Sequence, residues 1–244
     1  MTDQISQHGV MTSDRTRIVF DLYRKEWGSG AVLVVCPGFL QNKETKIFRK
    51  LCRDLARDQD VICVDFRGHG RSGGLYTFSA REGEDLEAVL RWARGRYNRI
   101  RLMGFSLGAA VSINTARRFS GPVEKLVAVS APARFEDIEL RVWTPGVFME
   151  GAQAWDSKMG CRPSYPWFKK EKPIENIHRL GSIPVLLIHG SDDWVISHVH
   201  SRRLFSRAKK PKQLEIVERG GHAEEIYRRH PEWFLSVVSR WFSE

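Results

Sequence analysis

The stretch Ile100-Arg-Leu-Met103-Gly104-Phe-Ser106-Leu-Gly108 constrains the fold more than any other part of the 244-residue sequence. Ile100 to Met103 is a short apolar run that reads as a buried strand, and Leu107, Ala109, Ala110 and Val111 open a helix-forming run. Between them, glycines stand two residues before and two residues after a serine. A strand that turns this sharply into a helix strains the backbone of the turn residue and brings neighbouring chain close. Side chains at the flanking positions would clash there, so glycine is required. The G-x-S-x-G spacing therefore predicts a nucleophile elbow, with the Ser106 hydroxyl projecting from a sheet edge. The Leu107 amide then lies at a helix N-terminus, where anionic charge is favoured.

The rest of the chain has the rhythm that such an elbow needs. Arg17 to Tyr23 alternates weakly and reads, within residues 1–30, as one or two antiparallel edge strands. Ala31-Val-Leu-Val-Val-Cys36 and Val61-Ile-Cys-Val64 are continuous apolar runs, as expected for strands buried on both faces. Lys125 to Ser130, Pro184 to His189 and Gln213 to Val217 are three more strand signals. Helical periodicity covers Lys46 to Arg57, Ser79 to Arg94, the run after Ser106 to about Phe119, Ser197 to Ala208, and Ala223 to Phe242. Ser79 precedes Glu82 at capping-box spacing and is the expected N-cap. Strands alternating with helices predict an α/β fold, a mostly parallel sheet flanked by helices on both faces, in one domain spanning 1–244.

One segment breaks the rhythm. Residues 133–179 lie between two strand signals, are longer than an ordinary crossover, and carry Trp143, Phe148, Trp155 and Trp167. Four prolines, at 145, 163, 166 and 173, argue against one long helix. The segment reads as a short aromatic-rich cap insertion over the C-terminal edge of the sheet, with those four aromatics as its candidate substrate pocket.

Composition narrows the function classes. A net charge of +10 is spread along helices, and the densest basic cluster, Arg207 to Lys212, is a helix end and a loop. No nucleic-acid motif accompanies it, so a solvated surface is expected, with a long-range attraction for anions. No apolar run reaches bilayer length, which predicts no integral membrane segment. The four cysteines make no C-x-x-C pair, and the eight histidines no metal-ligand spacing. The expected setting is the cytoplasm, and no metal or cofactor is expected. His8, His178, His198, His200 and His230 lie in polar segments and read as surface residues; His69 and Asp65 read as loop-stabilising.

In a parallel sheet, ligands gather at the C-terminal ends of strands. Ser106 ends one strand, the neighbouring acids Asp192 and Asp193 follow another, and His222 follows the last. A serine hydroxyl needs a base within hydrogen-bond reach, and the base needs an orienting acid. His222 is the candidate base. The residues alone leave Asp192 and Asp193 as alternatives. The amides of Leu107 and of Phe39, in the loop after the first buried strand, are the candidate oxyanion hole.

Taken together, Pro37-Gly-Phe39, Asp65-x-Arg-Gly-His-Gly-x-Ser72, Gly104-Phe-Ser-Leu-Gly108, His189-Gly-x-x-Asp193 and Gly220-Gly-His222 make the chain resemble the α/β-hydrolase superfamily over almost its whole length. It is most similar there to compact feruloyl/cinnamoyl-esterase-like and serine-aminopeptidase-like hydrolases. The resemblance implies a Ser106–Asp193–His222 triad, no cofactor, and cleavage of a small-molecule carboxylic ester through an acyl-enzyme. One departure stands out: the family's usual His-Gly before the oxyanion residue is replaced by Cys36-Pro37-Gly38. A peptidase, thioesterase or acyltransferase would use the same triad, and a non-catalytic binding member would share the fold.

Overall fold

A computed structural model describes residues 5–25, 30–119, 123–136, 156, 158–165 and 167–243. Among these, eight strands form one sheet: β1 (Ile5–Met11), β2 (Arg17–Tyr23), β3 (Ala31–Cys36), β4 (Asp60–Asp65), β5 (Arg99–Phe105), β6 (Val123–Val129), β7 (Val185–Gly190) and β8 (Lys212–Val217). Their spatial order is β1-β2-β4-β3-β5-β6-β7-β8. The β1–β2 and β2–β4 pairings are antiparallel and the others parallel. The elbow strand β5 is therefore interior, with its C-terminal end flanked by those of β3 and β6.

β2 differs from expectation. It is an interior strand, with Ile18, Val19, Phe20 and Leu22 fully buried, because β1 covers its outer side. The sequence of β1 gives little signal because it lies at the edge, with no fully buried residue.

Helices cover both faces: α1 (Lys46–Leu55), α2 (Glu82–Arg94), α3 (Leu107–Arg118), α4 (Pro173–Asn176), α5 (Val199–Arg207), α6 (Glu224–Arg229) and α7 (Pro231–Ser243). Period-two alternation divides the strands between them. Val32, Val34 and Cys36 of β3 belong to the core beneath α2 and α3, whereas Leu33 and Val35 join Phe48 and Leu51 of α1 and Phe234 of α7. Each fully buried aliphatic side chain of this kind stabilises the fold by about 1.5–3 kcal/mol.

Three local expectations are corrected. α2 starts at Glu82, and Ser79, with φ of +74°, does not cap it. Phe78 and Ser79 both have positive φ, and the bend sets Thr77 over the first turn instead. The Thr77 amide donates to Glu82 Oε1 at 2.6 Å, and Thr77 Oγ1 accepts from the Arg81 amide at 2.9 Å. The expected helix from Ala223 to Phe242 is two helices. Pro231, which has no N–H to donate, opens the second. His200, expected on the surface, is buried on the inner face of α5, and its Nδ1 accepts the Ala133 amide at 2.9 Å.

Residues 137–155, 157 and 166 of the expected cap lie outside the described residues, and Trp143, Phe148 and Trp155 with them. What is described ties the insertion to the sheet edge. Its base is closed by Ile174 N donating to Ala133 O at 3.2 Å. Its later part runs as a strap along the loops after β3 and β4. Gly160 N donates to Leu40 O, Arg162 N to Gly68 O, and Tyr76 N to Arg162 O.

Candidate active site

The elbow forms as its glycines require. Ser106 has φ 52° and ψ −119°, a conformation that costs a non-glycine residue about 1–3 kcal/mol. A Cβ on Gly104 would lie 2.5 Å from Ala109 Cα, and one on Gly108 only 2.2 Å from Cys36 O. Neither approach is open to a side chain. The tight turn delivers Ser106 at the end of β5 with its amide donating to Val129 O of the neighbouring strand.

The loops after β7 and β8 are stitched to one another. A Cβ on Gly190 would lie 2.1 Å from Gly220 O, so the two loops meet backbone to backbone. Ser191 N donates to Val217 O and Asp192 N to Gly220 O. This contact brings Asp193 and His222 together although 29 residues separate them.

Asp193 is fully buried at its side chain and saturated with donors. Its Oδ1 accepts the amides of Val195 at 3.0 Å and Ile196 at 2.8 Å. Its Oδ2 lies 2.8 Å from His222 Nδ1 and 3.1 Å from His189 Nε2. Asp192 faces solvent and accepts only the Ser191 hydroxyl among the described contacts. The acid that meets His222 is therefore Asp193.

His222 completes the relay, with Nε2 2.9 Å from Ser106 Oγ. An ionised carboxylate accepts only, so Nδ1 carries the proton toward Asp193 and the Nε2 lone pair faces the Ser106 hydroxyl. Burial alone would push the Asp193 carboxyl up, but the charge of His222 and hydrogen bonds from His189 and His222 hold it well below the usual carboxylate range. Burial would lower His222; the charge and hydrogen bond of Asp193, with Glu224 and Glu225 nearby, raise it above the ordinary histidine value. The arrangement can take a proton from Ser106 and stabilise the resulting imidazolium.

Further residues support the triad, and the first of them, His189, opens the His189-Gly-x-x-Asp193 motif and precedes the tight turn that carries the acid. His189 Nδ1 lies 2.6 Å from Ser201 Oγ on α5, while His189 Nε2 faces both Ile196 O and Asp193. With Nε2–H directed at these acceptors, Ser201 donates to Nδ1, and the imidazole is fixed beneath the acid. The i,i+4 spacing of His189 and Asp193 is its only sequence signal. Ser130, at the end of β6, has φ of +49°, and its Oγ accepts the Ala223 amide at 3.0 Å, which anchors the chain just after His222. Nothing in the sequence around Ser130 marks that role.

Gly38 passes directly over the serine: a Cβ there would lie 3.2 Å from Ser106 Cβ. Phe39, the next residue, is about one-third exposed, with its ring stacked on Tyr76 at 5.4 Å. Leu107 is the first residue of α3. Asp65 fixes the loop that carries Phe39. It accepts the amides of Lys43 and Arg71, both at 2.9 Å, and burial pushes its carboxyl up to about 6 against the pull of those donors. Asp156 holds the same loop from the strap, accepting the Lys46 amide at 2.6 Å at the start of α1. Trp167, an expected pocket residue, is 85% exposed and so is not a packed pocket wall. Among the described residues no cluster of three or more His, Cys, Asp or Glu side chains could hold a metal ion, and no helix is long and apolar enough to cross a membrane.

Comparison with known proteins matches the geometry to a family. A family model described as alpha/beta hydrolase fold matches residues 31–153, half of the chain. Alpha/beta hydrolase domain-containing protein 17B from Homo sapiens is 28% identical over 186 residues, and the uncharacterized protein YfhR from Escherichia coli K12 is 30% identical over 181. These matches cover 74% and 71% of this chain but 57% of each relative, so the chain spans little over half the length of these curated relatives. Among solved structures, the Pyrococcus furiosus esterase Pf2001 superposes with a TM-score of 0.81 at 20% identity, covering 99% of this chain and 92% of that one. The esterase RhEst1 from Rhodococcus sp. ECU1013 superposes with 0.78 at 23% identity, covering 98% and 99%.

Proposed function

The chain belongs to the α/β-hydrolase family, and from that premise we propose that it is a serine hydrolase that cleaves small-molecule carboxylic esters through an acyl-enzyme. The observation that carries the reading is the unbroken relay from Ser106 Oγ through His222 to Asp193, with links of 2.9 and 2.8 Å. Supporting it are esterases among the structural relatives.

In this mechanism His222 takes the Ser106 proton as Oγ attacks the ester carbonyl, and Asp193 stabilises the imidazolium formed. The developing oxyanion lies against the amides of Leu107 and Phe39, where each donor contributes about 3–4 kcal/mol to transition-state stabilisation. His222 returns the proton to the leaving alkoxide, and water repeats the sequence to release the acid. Cys36-Pro37 in place of the family's histidine leaves this scheme intact, because the donors are backbone amides. We assign the segment 133–179 the role of a cap that helps select the ester.

The test is the hydrolysis of 4-nitrophenyl butyrate. Ser106→Ala is expected to remove measurable turnover while leaving the circular dichroism spectrum and the melting temperature close to those of the parent. Turnover equal to the parent's would end the proposal.

A further inference from the structure

The two proposed oxyanion donors differ in how they are held. The Leu107 amide belongs to the first residue of α3, so the helix itself fixes it. The Phe39 amide sits in a tight turn, in which the Gln41 amide donates to Gly38 O at 3.3 Å and Leu40 takes φ of +65°. The turn bond engages the amide of Gln41 and not that of Phe39. A positive φ is strained for a leucine, and such strain persists only where the surroundings over-determine it. One restraint comes from the strap, whose Gly160 amide donates to Leu40 O at 2.8 Å.

A second restraint comes from the histidine segment. The Gln41 side chain is buried, and its Nε2 donates to Glu224 Oε1 at 2.6 Å, across 183 residues of sequence. The same nitrogen donates to Met159 Sδ of the strap at 3.9 Å. An ionised carboxylate only accepts, so Glu224 fixes which end of the Gln41 amide faces it. Glu224 opens α6 two residues after His222, and the amide of Ala223 between them is anchored on Ser130 Oγ. The bond from Gln41 to Glu224 thus joins the turn that carries Phe39 to the segment that carries the base.

We propose that Gln41 is a positioning residue of the ester-cleaving centre: through Glu224 it holds the Phe39 amide at a fixed spacing from His222, so that oxyanion donor and base meet the same carbonyl. This rests on the serine hydrolase reading and on Phe39 as a donor. Gln41 touches no reacting atom. Its contribution is confined to the transition state, because the oxyanion exists only there.

The experiment measures kcat and KM for 4-nitrophenyl butyrate at a pH well above the acid limb, where the charge of Glu224 no longer affects the protonation of His222. Gln41→Met has nearly the same size and cannot donate to Glu224. It is expected to lower kcat about tenfold, part of the hundredfold or more that a lost oxyanion donor costs, with KM within about twofold of the parent. Glu224→Leu breaks the same bond from the other end and should cost a similar factor. The double variant should lose no more than either single one, since both changes remove one interaction. Glu224→Gln keeps an acceptor for Gln41 and should recover kcat to within about threefold of the parent. Gln213→Met, an equivalent change on the exposed strand β8, should leave both parameters at the parent values.

A kcat within twofold of the parent in both folded single variants overturns the proposal. So does a double variant whose loss is the product of the single losses, or a Glu224→Gln no better than Glu224→Leu. Loss of parent turnover in Ser106→Ala reports separately on the serine hydrolase reading. Should that reading fail, hydrogen exchange followed by mass spectrometry still decides whether the bond holds the turn. Amides of residues 39–42 exchanging at least about tenfold faster in Gln41→Met uphold it, and unchanged exchange rejects it.

Discussion

His222 and His69 both follow a glycine, both sit in loops beyond the C-terminal ends of strands, and only one of them is wired for chemistry. His222 has a buried carboxylate on one ring nitrogen and a strained serine on the other. His69 is fully buried, its Nδ1 reaches only the Arg67 carbonyl at 3.2 Å, and its ring stands edge-on to Tyr76 at 4.6 Å. Burial drives its basicity down to about 4, with the nearby Arg162 charge adding to the effect, whereas Asp193 drives that of His222 up. The difference is supplied by partners from distant parts of the chain. Each histidine's own neighbours, Gly-His in both cases, carry none of it.

The largest expected effect separates the two directly. His222→Ala should lower kcat for 4-nitrophenyl butyrate by on the order of 10⁴ to 10⁶, whereas His69→Gln should lower it less than about tenfold. His69→Gln should instead reduce stability by about 1–2 kcal/mol, read by urea unfolding, because a packed ring and a buried hydrogen bond are disturbed. A collapse of turnover in folded His69→Gln would erase the contrast.

Next in size is the acid. Asp193→Asn is expected to cost about 10⁴ in kcat, because the amide no longer favours the required tautomer and leaves the imidazolium uncompensated. Asp192→Asn, one residue away on the exposed side, should leave kcat within about a factor of two.

The pH profile sharpens the same comparison with a smaller effect. His222 must be neutral to act as base, and Asp193 raises its pKa, so activity is lost as pH falls through a value above the ordinary histidine 6.5. Removing the carboxylate in Asp193→Asn should shift the acid limb of the residual activity to lower pH. His69→Gln should leave the limb where it is. An acid limb near 4 that moved with His69→Gln would point to the other histidine.

These contrasts explain which parts of the molecule were legible in the sequence. Gly104 and Gly108 are dictated by a clash within one turn, so the elbow can be read locally. The continuous apolar runs of β3, β4 and β7 are likewise local, and the sheet follows from them. Asp193 and Asp192 differ only in which side of a loop they face, and that is set by the Gly190–Gly220 contact between two loops 30 residues apart. Ser201 and Ser130 are one step further removed, since each acts on a residue from another part of the chain. His200 reads as polar surface from its neighbours, but helical periodicity turns it inward to meet Ala133. The bonds of Thr77 to Arg81 and Glu82 depend on two consecutive residues of positive φ, which no simple spacing rule anticipates. Within 133–179, the strap residues Asp156, Gly160 and Arg162 bind backbone groups on the loops after β3 and β4, contacts that leave no periodic trace.

The central claim is that Ser106 is an activated nucleophile because His222 and Asp193 stand behind it. Intact-mass and peptide mapping after reaction with a fluorophosphonate tests this without any choice of ester. The account predicts one adduct per chain, located on Ser106, absent in Ser106→Ala and slowed by at least about a hundredfold in His222→Ala. No adduct on the folded protein, or labelling that persists equally in either variant, would contradict it.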